Sequence, residues 1–140
     1  MTDTAQQLAN NKTLARDYIH ALGTFDADKT RMFMHDQFEA HIPAITMRPD
    51  RFSGEGLLTY LQGLTAYLPA GITFTISHVT AEDNRVSVVA KGNASTLEGK
   101  PYNNHYHLLL TIEDGKIIHH MEFMDSFLGA KVLGPLMQKS

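Results

Sequence analysis

The sequence predicts an α+β fold, and three observations carry that reading. Between residues 5 and 68, apolar residues recur at the three- and four-residue spacing of amphipathic helices. From residue 72 the period drops to two, in runs rich in β-branched residues. Two acidic turns, "EDN" and "EDG", then separate neighbouring runs as hairpin connections do. Helices first and antiparallel strands second imply helices packed on one face of a curved sheet.

Each element follows from its residues. Leu8, Ala15, Tyr18, Ile19 and Leu22 share one face of a helix over 5–22. "GTFDADKTRMFMHD" supplies a turn, Asp26 as an N-cap and a short second helix. "QFEAHIPAI" alternates and stops at Pro43, so 37–42 is a short strand, and "TMRPDRFSGEG" reads as a loop. Ser53 caps a helix over 54–67 that turns Leu57, Leu58, Leu61, Leu64 and Leu68 inward. Strands follow at 72–80, 85–95, 105–113 and 116–126, with "TLEGKPYNN" as the longer middle connection. No repeat or interdomain linker interrupts the order, so residues 1–140 form a single domain.

Composition narrows the function classes. At 43% hydrophobic and 19% charged the chain is neither disordered nor membrane-spanning. The net charge of −3 and the lack of any basic cluster argue against nucleic acid and anionic lipid as partners. Zero cysteines exclude disulfides, thiolate nucleophiles and cysteine-based zinc sites. That composition, with a polar start lacking an apolar leader, leads us to expect a cytoplasmic protein. Eight histidines supply abundant proton-transfer capacity near neutral pH.

Four of those histidines lie in "HYHLLLTIEDGKIIHHMEFMD", residues 105–125. A two-residue Asp114-Gly115 turn pairs Glu113 with Lys116. Carried along the hairpin, that register sets Leu109 opposite His120, His107 opposite Glu122 and His105 opposite Met124. These six side chains then share one face, and Tyr106, Leu108, Leu110, Ile112, Ile117, His119, Met121, Phe123 and Asp125 take the other. A slip of one residue would break the His107–Glu122 pair. The pair supports either acid–base chemistry or a purely structural hydrogen bond. His105, His107 and His120 with Glu122 also offer metal ligands, but His-x-His on a strand is weak evidence, and we assign no metal and no cofactor.

The ending "IEDGKIIHHMEFMD" resembles the last hairpin of SnoaL-like proteins in the nuclear transport factor 2-like superfamily. "ARDYIHALGTFDADKTRMFMHDQFEAHI" resembles the stretch from first helix to first strand in ketosteroid isomerases, and "FSGEGLLTYLQGL" their third helix. The resemblance implies an NTF2-like cone-shaped barrel: three N-terminal helices on a strongly curved, mainly antiparallel sheet that encloses a cavity. It also implies a homodimer formed through the convex sheet face, which would include Phe74, Ile76, Val89 and Tyr106.

By the same resemblance, Tyr18 falls where ketosteroid isomerases keep an oxyanion-donating Tyr, and His41 where they keep the Asp base. His107 falls near their second oxyanion donor, and Glu122 where SnoaL-like cyclases keep a catalytic Asp. A His in place of the Asp base argues against a true steroid isomerase. Val88, Ala90, Gly92 and Ala94, aimed inward on the long middle strand, lack the Arg and Asp that the limonene epoxide hydrolase pattern requires.

The expected activity is therefore a cofactor-free acid–base isomerase or cyclase acting on an apolar, polyketide- or terpenoid-like molecule. In it His41 is the base, Tyr18 and His107 bind the substrate oxygen, and Glu122 orients His107 or donates a proton. Phe33, Phe38, Phe52, Leu57, Tyr60, Leu61, Ala90, His105, Leu109, His120 and Met124 are the expected substrate-binding wall. Two alternatives stay open: a dehydratase of the scytalone dehydratase type, which also uses two His with Tyr donors, and a non-catalytic binder of hydrophobic ligands.

Overall fold

A computed structural model describes residues 4–43 and 49–138, and side chains as far as residue 136. Residues 46–48 of the predicted loop lie outside the described residues. The first helix, α1 (Thr4–Gly23), buries Ala15, Tyr18, Ile19 and Leu22 together with Asn11. It is followed by α2 (Ala27–Arg31), whose first turn is capped by Asp26 accepting from the Lys29 amide at 3.0 Å. The first strand, β1 (Met34–His41), starts earlier than the alternation alone indicates. Its partner β2 (Arg51–Ser53) is a short strand where the sequence predicts a loop. Pairing of Ala40 with Phe52 supplies what three residues of local sequence do not.

Ser53 caps α3 (Gly54–Leu64), its hydroxyl accepting from the Gly56 amide at 3.0 Å. Four long strands follow: β3 (Thr73–Glu82), β4 (Arg85–Asn93), β5 (His105–Glu113) and β6 (Lys116–Met124). The sheet runs in the order β2-β1-β6-β5-β4-β3. Every pairing is antiparallel except the parallel contact of β1 with β6. A final helix, α4 (Ser126–Gln138), is absent from the sequence-based expectation. Asp125 starts it by accepting from the Leu128 amide at 3.1 Å, and Val132 and Leu133 reach the core. Pro135, Gly129 and Gly134 weaken its local signal, and packing makes up for them. Among the described residues no helix is long and apolar enough to cross a membrane.

The last hairpin corrects the predicted register. Asp114 and Gly115 both take positive φ, 52° and 71°, as a two-residue hairpin turn requires. Glu113 does pair with Lys116, and Ile112 with Ile117. A β-bulge then shifts the ladder, so Thr111 pairs with His119, Leu110 with His120, Leu108 with Glu122 and His107 with Phe123. One extra residue in β6 moves everything beyond it to the opposite face.

The bulge lets both Ile117 and Ile118 be buried. It also coincides with the docking of β1, where the Ile117 amide donates to the Phe33 carbonyl at 2.8 Å. The inner face therefore carries Tyr106, Leu108, Leu110, His120 and Glu122, all buried. His105, His107, Leu109, His119 and Phe123 are exposed on the outer face. The predicted convex-face set is corrected in the same way: Val89 is exposed, but Phe74 and Tyr106 are buried and pack edge to face at 5.2 Å.

Candidate active site

The interior polar groups form a chain that starts on α1. Tyr18, completely buried, places its hydroxyl 2.6 Å from His120 Nδ1. His120 Nε2 lies 2.8 Å from Glu122 Oε1. All three reach one place because Tyr18 is on the buried stripe of α1, and His120 and Glu122 alternate inward along β6. Phe38 from β1 stands edge-on to the His120 ring at 6.2 Å, and Tyr18 does so at 5.6 Å. The imidazole is thereby held on two sides by aromatic rings. Glu122 is the most exposed member at 8%, against 1% for His120.

The hydrogen positions follow from what each group can donate. An ionised Glu122 only accepts, so His120 Nε2 carries the proton in that bond. A neutral His120 then accepts at Nδ1, and Tyr18 donates to it. Burial first, and the Glu122 charge second, hold the Tyr18 phenol well above its ordinary pKa. Tyr18 thus remains a protonated donor, and its hydroxyl is committed to His120.

A second cluster sits beside Glu122. Asn104 is wholly buried and uses both ends of its amide. Its Nδ2 donates to Tyr102 Oη at 2.9 Å and to the Asp125 carbonyl at 3.1 Å. Its Oδ1 accepts from the His105 amide at 2.7 Å and the Asp125 amide at 3.2 Å. Tyr102 and Tyr106 are buried, and both phenols are pushed upward, by burial first and by the Glu122 charge among the lesser causes.

Of the expected catalytic residues, the structure brings Tyr18 and Glu122 together and leaves two outside. His107 is on the outer face, where its Nε2 meets Ser87 Oγ at 2.7 Å. His41 is opposite Met121 in the parallel ladder and faces Asp50, with Nε2 3.6 Å from Oδ2. The inward positions of β1 are Phe38 and Ala40, so parity turns His41 away.

Of the expected wall, Phe38, Leu57, Leu61 and Ala90 are core residues, and Phe33, Phe52, Tyr60 and Met124 pack against them. His120 joins them as the centre of the chain, whereas His105 and Leu109 are exposed outside. Sequence reasoning missed Tyr102 and Asn104 and placed Tyr106 on the wrong side. One signal could have found them: Tyr102, Asn104, Tyr106, Leu108 and Leu110 continue a single period-two face upstream of the strand.

Among the described residues no three His, Asp or Glu side chains converge as metal ligands. The register accounts for this, because His105 and His107 point outward and His120 inward. One cleft of about 320 Å³, lined by Thr73, Asn93, Ser95 and Asn103 among others, carries no titratable side chain. The buried histidine and carboxylate described above lie in the Tyr18–His120–Glu122 chain instead.

The SnoaL-like domain family matches residues 15–120, well over half of the chain. The chain belongs to this family. No curated protein matches this SnoaL-like domain in sequence. Solved structures do match its fold. BvnE pinacolase from Penicillium brevicompactum superposes with a TM-score of 0.79 at 16% identity, covering 94% of this chain and 96% of that one. PrhC from Penicillium brasilianum NBRC 6234 gives 0.83 at 14% identity over 94% of this chain and 91% of its own. IdmH from Streptomyces antibioticus, provisionally a polyketide cyclase, gives 0.74 at 17% identity over 89% and 98%. At such identities the likeness concerns architecture alone.

Proposed function

We propose that this SnoaL-like domain is a cofactor-free acid–base enzyme, an isomerase or cyclase acting on an apolar, polyketide- or terpenoid-like ketone. Glu122 is its proton-transferring group. His120 orients that carboxylate, and Tyr18 holds His120 in the tautomer that can do so. The observation that carries this reading is the buried Tyr18–His120–Glu122 chain, with links of 2.6 and 2.8 Å that end at the least buried oxygen pair. A carboxylate held at one oxygen by a partner of fixed orientation suits repeated removal and return of a substrate proton. The roles first expected of His41 and His107 pass to Glu122 and His120, because the former two lie outside the interior. Names borne by proteins of like fold, a pinacolase and a provisional polyketide cyclase, support the same class of substrate.

The test is proton exchange at the α-carbon of a simple apolar ketone, 2-tetralone in D2O, followed by proton NMR. The wild-type chain is expected to accelerate exchange over buffer. Glu122→Gln is expected to lower that rate by about 10²–10⁴-fold, the usual contribution of a positioned acid–base group. Equal exchange by wild type and Glu122→Gln overturns the reading. Ligand uptake without any exchange would favour the non-catalytic binder instead, and loss of water from a β-hydroxyketone the dehydratase. A homodimer and a cytoplasmic location belong to the same proposal. Exposed Val89, Leu109 and Phe123 on the outer face support the dimer, which light scattering would test.

A further inference from the structure

The interior site is covered in this form of the molecule. Glu122 is 8% exposed, and Tyr18, Tyr102, Tyr106 and His120 are buried more deeply still. A ketone must lie against the Glu122 carboxylate for a proton to pass between them. No molecule of that size reaches a group so enclosed, so part of the covering layer has to move.

The first three helices are tied down. At the end of α1 the Ile72 amide donates to the Gly23 carbonyl at 2.8 Å. Arg31 clips α2 to α3, its Nε and Nη2 donating to the two Glu55 oxygens at 2.8 and 2.9 Å. The last helix, α4, is held differently. Its hydrogen bonds to the rest of the fold gather at its start, where Asn104 bonds both the amide and the carbonyl of Asp125. Among the described residues no hydrogen bond or ion pair joins residues 130–136 to another element, and apolar packing of Val132, Leu133 and Leu136 holds them. The helix is also weak by itself. Gly129 and Gly134 disfavour the helical state relative to alanine, and Pro135 lacks the amide that would bond the Lys131 carbonyl. A segment held in this way opens more readily than the fold as a whole.

Its position is over the site. A Cβ added at Gly129 would stand 3.3 Å from Tyr102 Oη and 3.9 Å from Met124 Sδ, so the helix backbone itself closes against these two side chains. Tyr102 and Tyr106 are hydrogen-bonded to each other, and Tyr106 pairs with Met124. Met124 is one inward position beyond Glu122 on β6. The end of the inner wall nearest the carboxylate is therefore the end that α4 covers.

We propose that α4 is a hinged lid over the Glu122 site. It pivots between Asp125, which Asn104 anchors, and Ser126. Opening lifts Val132 and Leu133 from the core, and closing seats Gly129 over Tyr102 and Met124. The apolar surface uncovered on opening selects an apolar substrate, whose body replaces the lost contacts. Closure then keeps water from the carboxylate during proton transfer. The proposal rests on the reading of Glu122 as the reacting group.

The chain has no cysteine, so one introduced thiol reports on one place. Val132→Cys puts it on the buried face of α4, and Val86→Cys puts it on completely buried β4. Reaction with 5,5′-dithiobis(2-nitrobenzoate) under native conditions is expected to be at least about tenfold faster in Val132→Cys. Adding 2-tetralone at ten times its dissociation constant should slow that reaction by about tenfold, whereas fraying of a helix end would not respond. Amide hydrogen exchange of α1 and α4, with and without 2-tetralone, gives the same comparison in the unsubstituted chain.

Gly134→Ala is the stiffening variant, since a Cβ there meets nothing within 4 Å. Added to Val132→Cys it should slow thiol reaction by about fivefold, the ratio that corresponds to glycine's helix penalty. Uptake and release of 2-tetralone, read by tyrosine fluorescence, should slow together with affinity unchanged, which a merely structural role would not produce.

Equal reaction of the two thiols, with equal amide exchange in α1 and α4, overturns the lid. Fast reaction of Val132→Cys that 2-tetralone leaves unchanged, in a chain that still exchanges the α-protons of this ketone, overturns the lid and leaves Glu122 standing. Protection of α4 by 2-tetralone without proton exchange upholds the lid and overturns the acid–base reading.

Discussion

Replacing Tyr18 by Phe isolates the deepest link of the site. The change removes one oxygen and nothing else, from a ring that is completely buried. His120 Nδ1 then loses the partner that lies 2.6 Å away and has no water to replace it, because His120 is only 1% exposed. Leaving a buried acceptor unpaired costs about 1–3 kcal/mol. The surrounding rings, Phe33 and Phe38 each 6.5 Å from Tyr18, are too closely packed to refill the space with a polar group. In a domain of this size each kcal/mol lowers the melting temperature by about 3–4 °C, so the expected drop is about 3–12 °C.

Thermal melts at pH 7 by circular dichroism measure that shift. A double-mutant cycle with His120→Leu then asks whether the loss belongs to this pair. The cycle should return a coupling of about 0.5–3 kcal/mol. A Tyr18→Phe chain melting within 1 °C of wild type (about 0.3 kcal/mol), with zero coupling, would refute the assignment of Tyr18 as donor to His120. It would also return the Tyr18 hydroxyl to the pool of groups free to bind substrate.

Alkaline titration gives a second outcome. Tyr18, Tyr102 and Tyr106 all have folded pKa values raised above that of a free phenol, chiefly by burial. Folded and unfolded chains are both protonated at these positions below about pH 10, so stability is level there and falls as pH rises further. With three such groups the slope is about 4 kcal/mol per pH unit, and absorbance at 295 nm should rise together with loss of circular dichroism. Ionisation of all five tyrosines while the fold persists would contradict it. Third, His41→Ala and His107→Ala should each leave 2-tetralone exchange at the wild-type rate, since both side chains lie outside the interior. A tenfold loss in either would show that the outer face takes part.

The local pattern was informative wherever the physics is local. Asp26 and Ser53 announce their helices because a side-chain oxygen two or three residues ahead of an apolar stripe has one use. Asp114-Gly115 announces its turn because few residue pairs accept positive φ twice in succession. Even the buried face of β5 was legible, since Tyr106, Leu108, Leu110 and Ile112 alternate with His105 and His107. Counting outward from the turn overrode that alternation, and the count assumed an unbroken ladder. The fourth helix was missed for a similar reason: glycines and a proline mask a segment that tertiary packing holds.

By itself, the sequence determined the α+β order, the helix starts, the hairpin turns and the placement of Tyr18 and Glu122 in the interior. Tertiary structure alone decided which histidine meets them. The deciding event is the bulge at Ile117 and Ile118, placed where β1 docks in parallel against β6. Its stabilisation comes from contacts with Phe33 and Met34, more than eighty residues away in the chain, which no local pattern encodes. Because side chains alternate with period two, that single inserted residue exchanges His107 for His120 beside Glu122. It also brings Tyr106 inside and turns the histidine-rich strand into one outer wall and one inner, reactive one.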